Sequence, residues 1–92
     1  MAELVPPQLL EHVAERFRVL GDATRLGILR ALLENGDLNV GEIVARLETT
    51  QANVSKHLGV LLRAGIVSRR AVGTTAYYAI ADPSLGRLCD IV

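Results

Sequence analysis

The chain has 92 residues, enough for one small domain, and its 50% hydrophobic content excludes a disordered or fibrous polymer. Its single cysteine, Cys89, excludes an intrachain disulfide framework and a multi-cysteine zinc site, and points to a reducing, cytoplasmic setting. The net charge of zero hides an uneven distribution: residues 1–48 hold five basic and eight acidic side chains, whereas 49–81 hold Lys56, Arg63, Arg69 and Arg70 and no acid.

In chain order, Glu3 and the Pro6-Pro7 pair stand where a signal peptide would have basic and then apolar residues. Proline suits a helix first turn, and Leu9, Leu10, Val13, Phe17 and Leu20 then recur at helical spacing up to Gly21. Asp22 caps a second helix that ends at Asn35-Gly36, with Leu26, Ile28, Leu29, Leu32 and Leu33 expected inside. After a short connector at Asp37-Leu38, Asn39 and Glu42 form a capping box for a third helix over Val40–Leu47. Glu48-Thr49-Thr50 is a tight turn, Thr50 caps a fourth helix from Gln51 to Ala64, and Gly65 closes it. The period then changes. Residues 66–80 carry β-branched and aromatic side chains about Gly73, the pattern of a two-stranded hairpin. Asp82-Pro83 opens a last short helix with Leu85, Leu88 and Ile91 as its apolar stripe. No run of about 18 apolar residues is present to span a membrane.

The predicted fold is mainly α (α+β): a winged helix-turn-helix of about five helices, with a two-stranded wing between the fourth and fifth. The whole chain, 1–92, forms a single domain. The helix-turn-helix occupies about 40–64, the wing about 66–80, and two flanking helices about 7–20 and 83–91. Leu10, Val13 and Phe17 on the first helix and Leu85, Leu88 and Ile91 on the last find no obvious place in a four-helix core. A homodimer joined through these helices accounts for them, since so small a core is thin alone.

On a helical wheel, Val54, Leu58, Leu61 and Leu62 share about 100° of arc and face inward. Gln51, at the tip, and Ala52, Asn53, Lys56, Gly59 and Arg63 lie away from that arc, with Ser55 and His57 on the flanks. Glutamine and asparagine amides pair with adenine, an alanine methyl packs on a thymine methyl, and lysine and serine suit phosphate oxygens. The same face would serve equally as a solvated surface. Arg69 and Arg70, adjacent in a strand, point to opposite faces, and Gly73, Thr74 and Thr75 offer amides and hydroxyls at the wing tip. A basic face cleared of carboxylates fits double-stranded DNA, and the alternative is a protein-interaction winged helix that binds an acidic partner. Nothing resembles an enzyme: no nucleophile stands beside a base, and no glycine-rich phosphate loop is present.

The segments GDATRLGILRAL, QANVSKHLGVLLRAGIV and GTTAYYAI together resemble the ArsR/SmtB family of winged-helix repressors, a likeness that covers about Ala14 to Val92. The resemblance implies a homodimer that binds an imperfect inverted repeat at a promoter, associates with the nucleoid when bound, and is released by an effector. Many members sense metals. Their thiolate site places cysteines on the third helix, where this chain has Asn39 and Gly41, neither a soft-metal ligand. A second family site uses Asp and His pairs on the last helix, which here holds Asp82, Cys89 and Asp90 and no histidine. No cofactor is therefore expected. One unusual metal site is conceivable, His12 of one protomer with Cys89 or Asp90 of the other. The plainer reading makes His12 a surface residue and Cys89 a small apolar one.

Overall fold

A computed structural model describes residues 6–81. Helix α1 covers Pro7–Leu20 and α2 covers Ala23–Asn35; a two-residue strand β1, Leu38–Asn39, leads directly into α3, Val40–Leu47. Helix α4 covers Gln51–Arg63, and β2, Val67–Val72, and β3, Thr75–Ile80, form the wing. The described residues thus hold four helices, and the expected fifth, over 83–91, lies outside them with Leu85, Leu88, Cys89, Asp90 and Ile91.

Local chemistry sets the boundaries. The Asp22 carboxylate accepts from the Arg25 amide, and the Thr50 hydroxyl accepts from the Asn53 amide. Asn39 and Glu42 form the reciprocal capping box that starts α3. The turn between α3 and α4 depends on Glu48 at φ 54°, a left-handed conformation unusual for a residue with a side chain. Gly73, at φ 62°, opens the two-residue turn of the wing, where such a dihedral matches the twist of the strands.

All three strands form one antiparallel sheet in the order β1-β3-β2. Leu38 opposes Tyr78 and Asn39 opposes Tyr77, so β1 ties the wing to the start of α3. The core is aliphatic: Ile28, Leu29 and Leu32 of α2, Ile43 of α3, Val54, Leu58 and Leu61 of α4, with Ile66 and Val67 at the root of the wing. Gly27 lets α2 and α3 approach closely, since a methyl group there would come within 3.3 Å of Leu47 Cδ2.

Three residues expected inside are not. Leu26 is 48% exposed, Leu33 38% and Leu62 38%. On α2 the buried set is Ile28, Leu29, Ala31 and Leu32, so the inner stripe is narrower than the leucine count suggested. Leu62 is displaced because His57 joins Val54, Leu58 and Leu61 on the inner side of α4 and rotates the buried arc away from it. Replacing Leu61 with alanine is expected to lower unfolding free energy by about 2–5 kcal/mol, as in buried leucine truncations. Leu62→Ala is expected to cost much less. Denaturant titration of the two variants checks the order, and equal losses would contradict this inner face.

Candidate nucleic-acid interface

Helix α4 is two-sided. Val54, His57, Leu58 and Leu61 are buried, while Gln51, Ala52, Ser55, Lys56, Leu62 and Arg63 are exposed. Asn53 is half-buried and its side-chain amide donates to Thr49 Oγ1 at 3.0 Å, which leaves its carbonyl oxygen as an acceptor at the surface. The guanidinium of Arg63 curls over Gly59, where a methyl group would come within 3.2 Å of Nη1. The first turn of α4 contains no acid, so the positive end of its dipole meets only polar groups.

His57 departs from expectation. Its flank position on the wheel predicts a DNA contact, but it is 7% exposed and packs inward. Arg25 Nη1 lies 3.2 Å from its Nδ1, and Asp22 Oδ1 lies 3.9 Å from the same nitrogen. Guanidinium nitrogens only donate, so Nδ1 is the acceptor and the ring proton sits on Nε2. The Arg25 amide holds the Asp22 carboxyl below the usual carboxylate range; partial desolvation opposes this, and the charge of Arg25 and the Thr24 amide reinforce it. The wheel placed His57 on the boundary, and no local signal in the sequence pairs it with Arg25, 32 positions away.

In the wing, Arg69 and Arg70 occupy opposite faces: Arg69 opposes Tyr78, and Arg70 opposes Tyr77. Both are exposed, as are Gly73 and Thr74 at the tip, and Thr75 is half-buried. Arg70 is engaged on two sides, by an ion pair to Asp37 Oδ2 at 3.0 Å and by the Tyr77 ring, 5.6 Å from Cζ to centroid. The acid-free stretch of sequence is therefore not acid-free in space, because Asp37 reaches the wing from the α2–β1 connector.

Of the metal candidates, Cys89 and Asp90 lie outside the described residues. Asn39 Oδ1 accepts from the Glu42 amide at 2.8 Å, so the side chain at the family's thiolate position serves as a helix cap. Gly41 has no donor atom. His12 is exposed on α1 and accepts from Arg16 Nε at 3.1 Å through Nε2. Among the described residues, no group of three or more His, Cys, Asp or Glu side chains is placed to hold a metal ion. Among them, too, no helix is long and apolar enough to cross a membrane.

The model of the arsR family of bacterial regulatory proteins matches residues 22–69, from the cap of α2 into β2. The chain is 42% identical over 82 residues to an uncharacterised HTH-type transcriptional regulator of Methanocaldococcus jannaschii, covering 89% of this chain and 92% of that protein. It is 32% identical over 81 residues to the arsenical resistance operon repressor of Bacillus subtilis, covering 88% and 77% respectively. The solution structure of a homodimeric winged helix-turn-helix DNA-binding domain from Mycobacterium bovis superposes with a TM-score of 0.82 at 32% identity, covering 91% of this chain and 77% of that one.

If the exposed face of α4 reads base edges, Gln51→Ala combined with Asn53→Ala will lower affinity for a cognate duplex by about 1–3 kcal/mol and relax base preference. Equal affinity of wild type and double variant would remove both residues from the interface. For the phosphate contacts, Lys56→Ala on α4 and Arg69→Ala in the wing are each expected to weaken binding to all sequences and flatten the salt dependence by about one unit of slope. Asp37→Asn is expected to do the reverse by releasing Arg70, and an unchanged slope for Asp37→Asn would show that Arg70 stays off phosphate.

Proposed function

The chain belongs to the arsR family of bacterial regulatory proteins and is a DNA-binding transcriptional regulator, not an enzyme; we propose that it acts as a homodimeric repressor on an inverted-repeat operator. One observation carries this reading: α4 is anchored by its buried side and presents Gln51, Ala52, Ser55 and Lys56 to solvent beside a basic wing. In this reading Gln51, Ala52 and Asn53 meet base edges in the major groove. Ser55, Lys56, Arg63, Arg69 and, once freed from Asp37, Arg70 meet phosphates. Gly73, Thr74 and Thr75 bring the wing tip to the flanking backbone. The domain works as one unit, with the helix-turn-helix at about 40–64 and the wing at about 66–80. Its place of action is the cytoplasm, on the nucleoid.

The homodimer follows from α1. Leu10 is 56% exposed, Val13 39% and Phe17 64%, an apolar stripe that α2 leaves open. A second copy covers it, and the residues Leu85, Leu88 and Ile91 join that interface. The relative from Mycobacterium bovis is homodimeric, which supports the assignment. Fluorescence anisotropy on a duplex from the protein's own promoter region, against an unrelated duplex, tests operator binding; the absence of any sequence preference would overturn it. Sedimentation of Phe17→Asp is expected to show monomers where wild type sediments as dimers, with loss of specific DNA binding.

Release from DNA requires an effector that binds the free dimer and the DNA-bound dimer with different affinity. Neither family metal site has its ligands here, so zinc, nickel, cobalt and cadmium are expected to leave the protein–DNA complex intact. DNA release at a near-stoichiometric dose of one metal, abolished by His12→Ala or Cys89→Ser, would establish the composite site instead.

A further inference from the structure

The Arg25 side chain joins the proposed dimer helix to the proposed reading helix through hydrogen bonds. Its Nε donates to the Val19 carbonyl at 2.6 Å, in the last turn of α1, and its Nη1 donates to His57 Nδ1 at 3.2 Å, on the inner side of α4. Its own backbone amide is fixed by the Asp22 carboxylate at 3.1 Å, the cap of α2. A single planar guanidinium therefore spans the end of α1 and the middle of α4, from a backbone position locked at the start of α2. Both ends are buried: Val19 is 4% exposed and His57 7%. A fork with fixed angles transmits position as well as attraction, which a flexible ammonium does not.

We propose that Arg25 is a positioning residue that sets the distance between the two reading helices of the dimer, and so the half-site spacing the protein accepts. The inference rests on the function proposed above. In a dimer closed through α1, the two-fold axis runs near α1, and each α4 is placed relative to that axis by whatever fixes α4 to α1. Half-site spacing in an operator mirrors this separation. His57 supplies the acceptor that holds α4 to the fork, which gives a buried polar side chain on an otherwise apolar helix face a definite task. Neither residue touches DNA in this scheme.

The test uses the full-length dimer and the inverted repeat that the wild type protects, together with repeats whose spacer is one base pair longer or shorter and an unrelated duplex. Wild type is expected to disfavour the altered spacers by about tenfold or more. Arg25→Lys keeps the charge and loses the fork, and His57→Leu loses the acceptor. Both are expected to shrink the penalty to about threefold or less while binding the unrelated duplex as wild type does. His57→Asn places an amide oxygen near the position of Nδ1 and is expected to restore discrimination. Should Arg25→Lys fail to fold by thermal melt, Arg25→Gln takes its place, retaining one donor. Weakening of all spacers by a common factor, or an unchanged penalty, would overturn the proposal and leave Arg25 a plain structural residue. Absence of any wild-type preference for the repeat over the unrelated duplex would bring down the operator reading itself, visibly before any variant is compared.

Discussion

The rest of the structure depends on the burial of one side of α4. Val54, Leu58 and Leu61 are 0–1% exposed and pack against Ile28, Leu29 and Leu32 of α2 and Ile43 of α3. Three short helices of modest intrinsic stability hold each other in this way, since none is long enough to persist alone. The outer side of α4 gains its fixed orientation from that packing. A side chain such as Gln51, exposed and near the cap, is aimed by residues it never touches. The hydrophobic contact is non-directional, and the caps supply the direction: Thr50 fixes where α4 begins, and the Asn39–Glu42 pair fixes where α3 begins.

Charge is distributed by the same logic of neighbours in space rather than in sequence. The stretch from Thr49 to Ala81 lacks acids, which leaves α4 and the wing basic. Asp37 modifies this by holding Arg70 at 3.0 Å, with Tyr77 on the other side of the guanidinium. Both partners of the ion pair are substantially exposed, so the pair contributes little to stability. Its larger effect is on availability: of the two wing arginines, Arg69 is the one without an ion pair among the described residues.

Most of the fold was legible because its boundaries are written in short-range chemistry. Asp22, Asn39, Thr50 and the glycines at 36, 65 and 73 each act within a few residues, so the element limits came within a residue or two. The exposed apolar stripe on α1 was legible as well, since Leu10, Val13 and Phe17 recur at helical spacing whether or not anything covers them. What escaped depends on pairs distant in the chain. His57 looked polar and surface-bound because its partner, Arg25, sits on another helix. Leu26, Leu33 and Leu62 looked buried because apolar residues exceed the width of the actual contact. Asp37 lay outside the basic segment and gave no sign of reaching Arg70. The residues proposed to touch DNA are exposed or half-buried, except His57, which is buried.

The two-residue strand β1 has a consequence for how the molecule assembles. Its pairing of Leu38 with Tyr78 joins positions forty residues apart, whereas the contacts within each helix and within the β2–β3 hairpin are local. Local elements form fast, and closing a long loop costs chain entropy that is repaid only when both ends are already structured. On this ground the β1–β3 ladder is expected to complete the sheet after the local elements have formed. Amide exchange along the β1–β3 ladder, compared with that inside α4, would measure how tightly the buried wing root, with Leu38 4% and Val67 2% exposed, is joined to the helices.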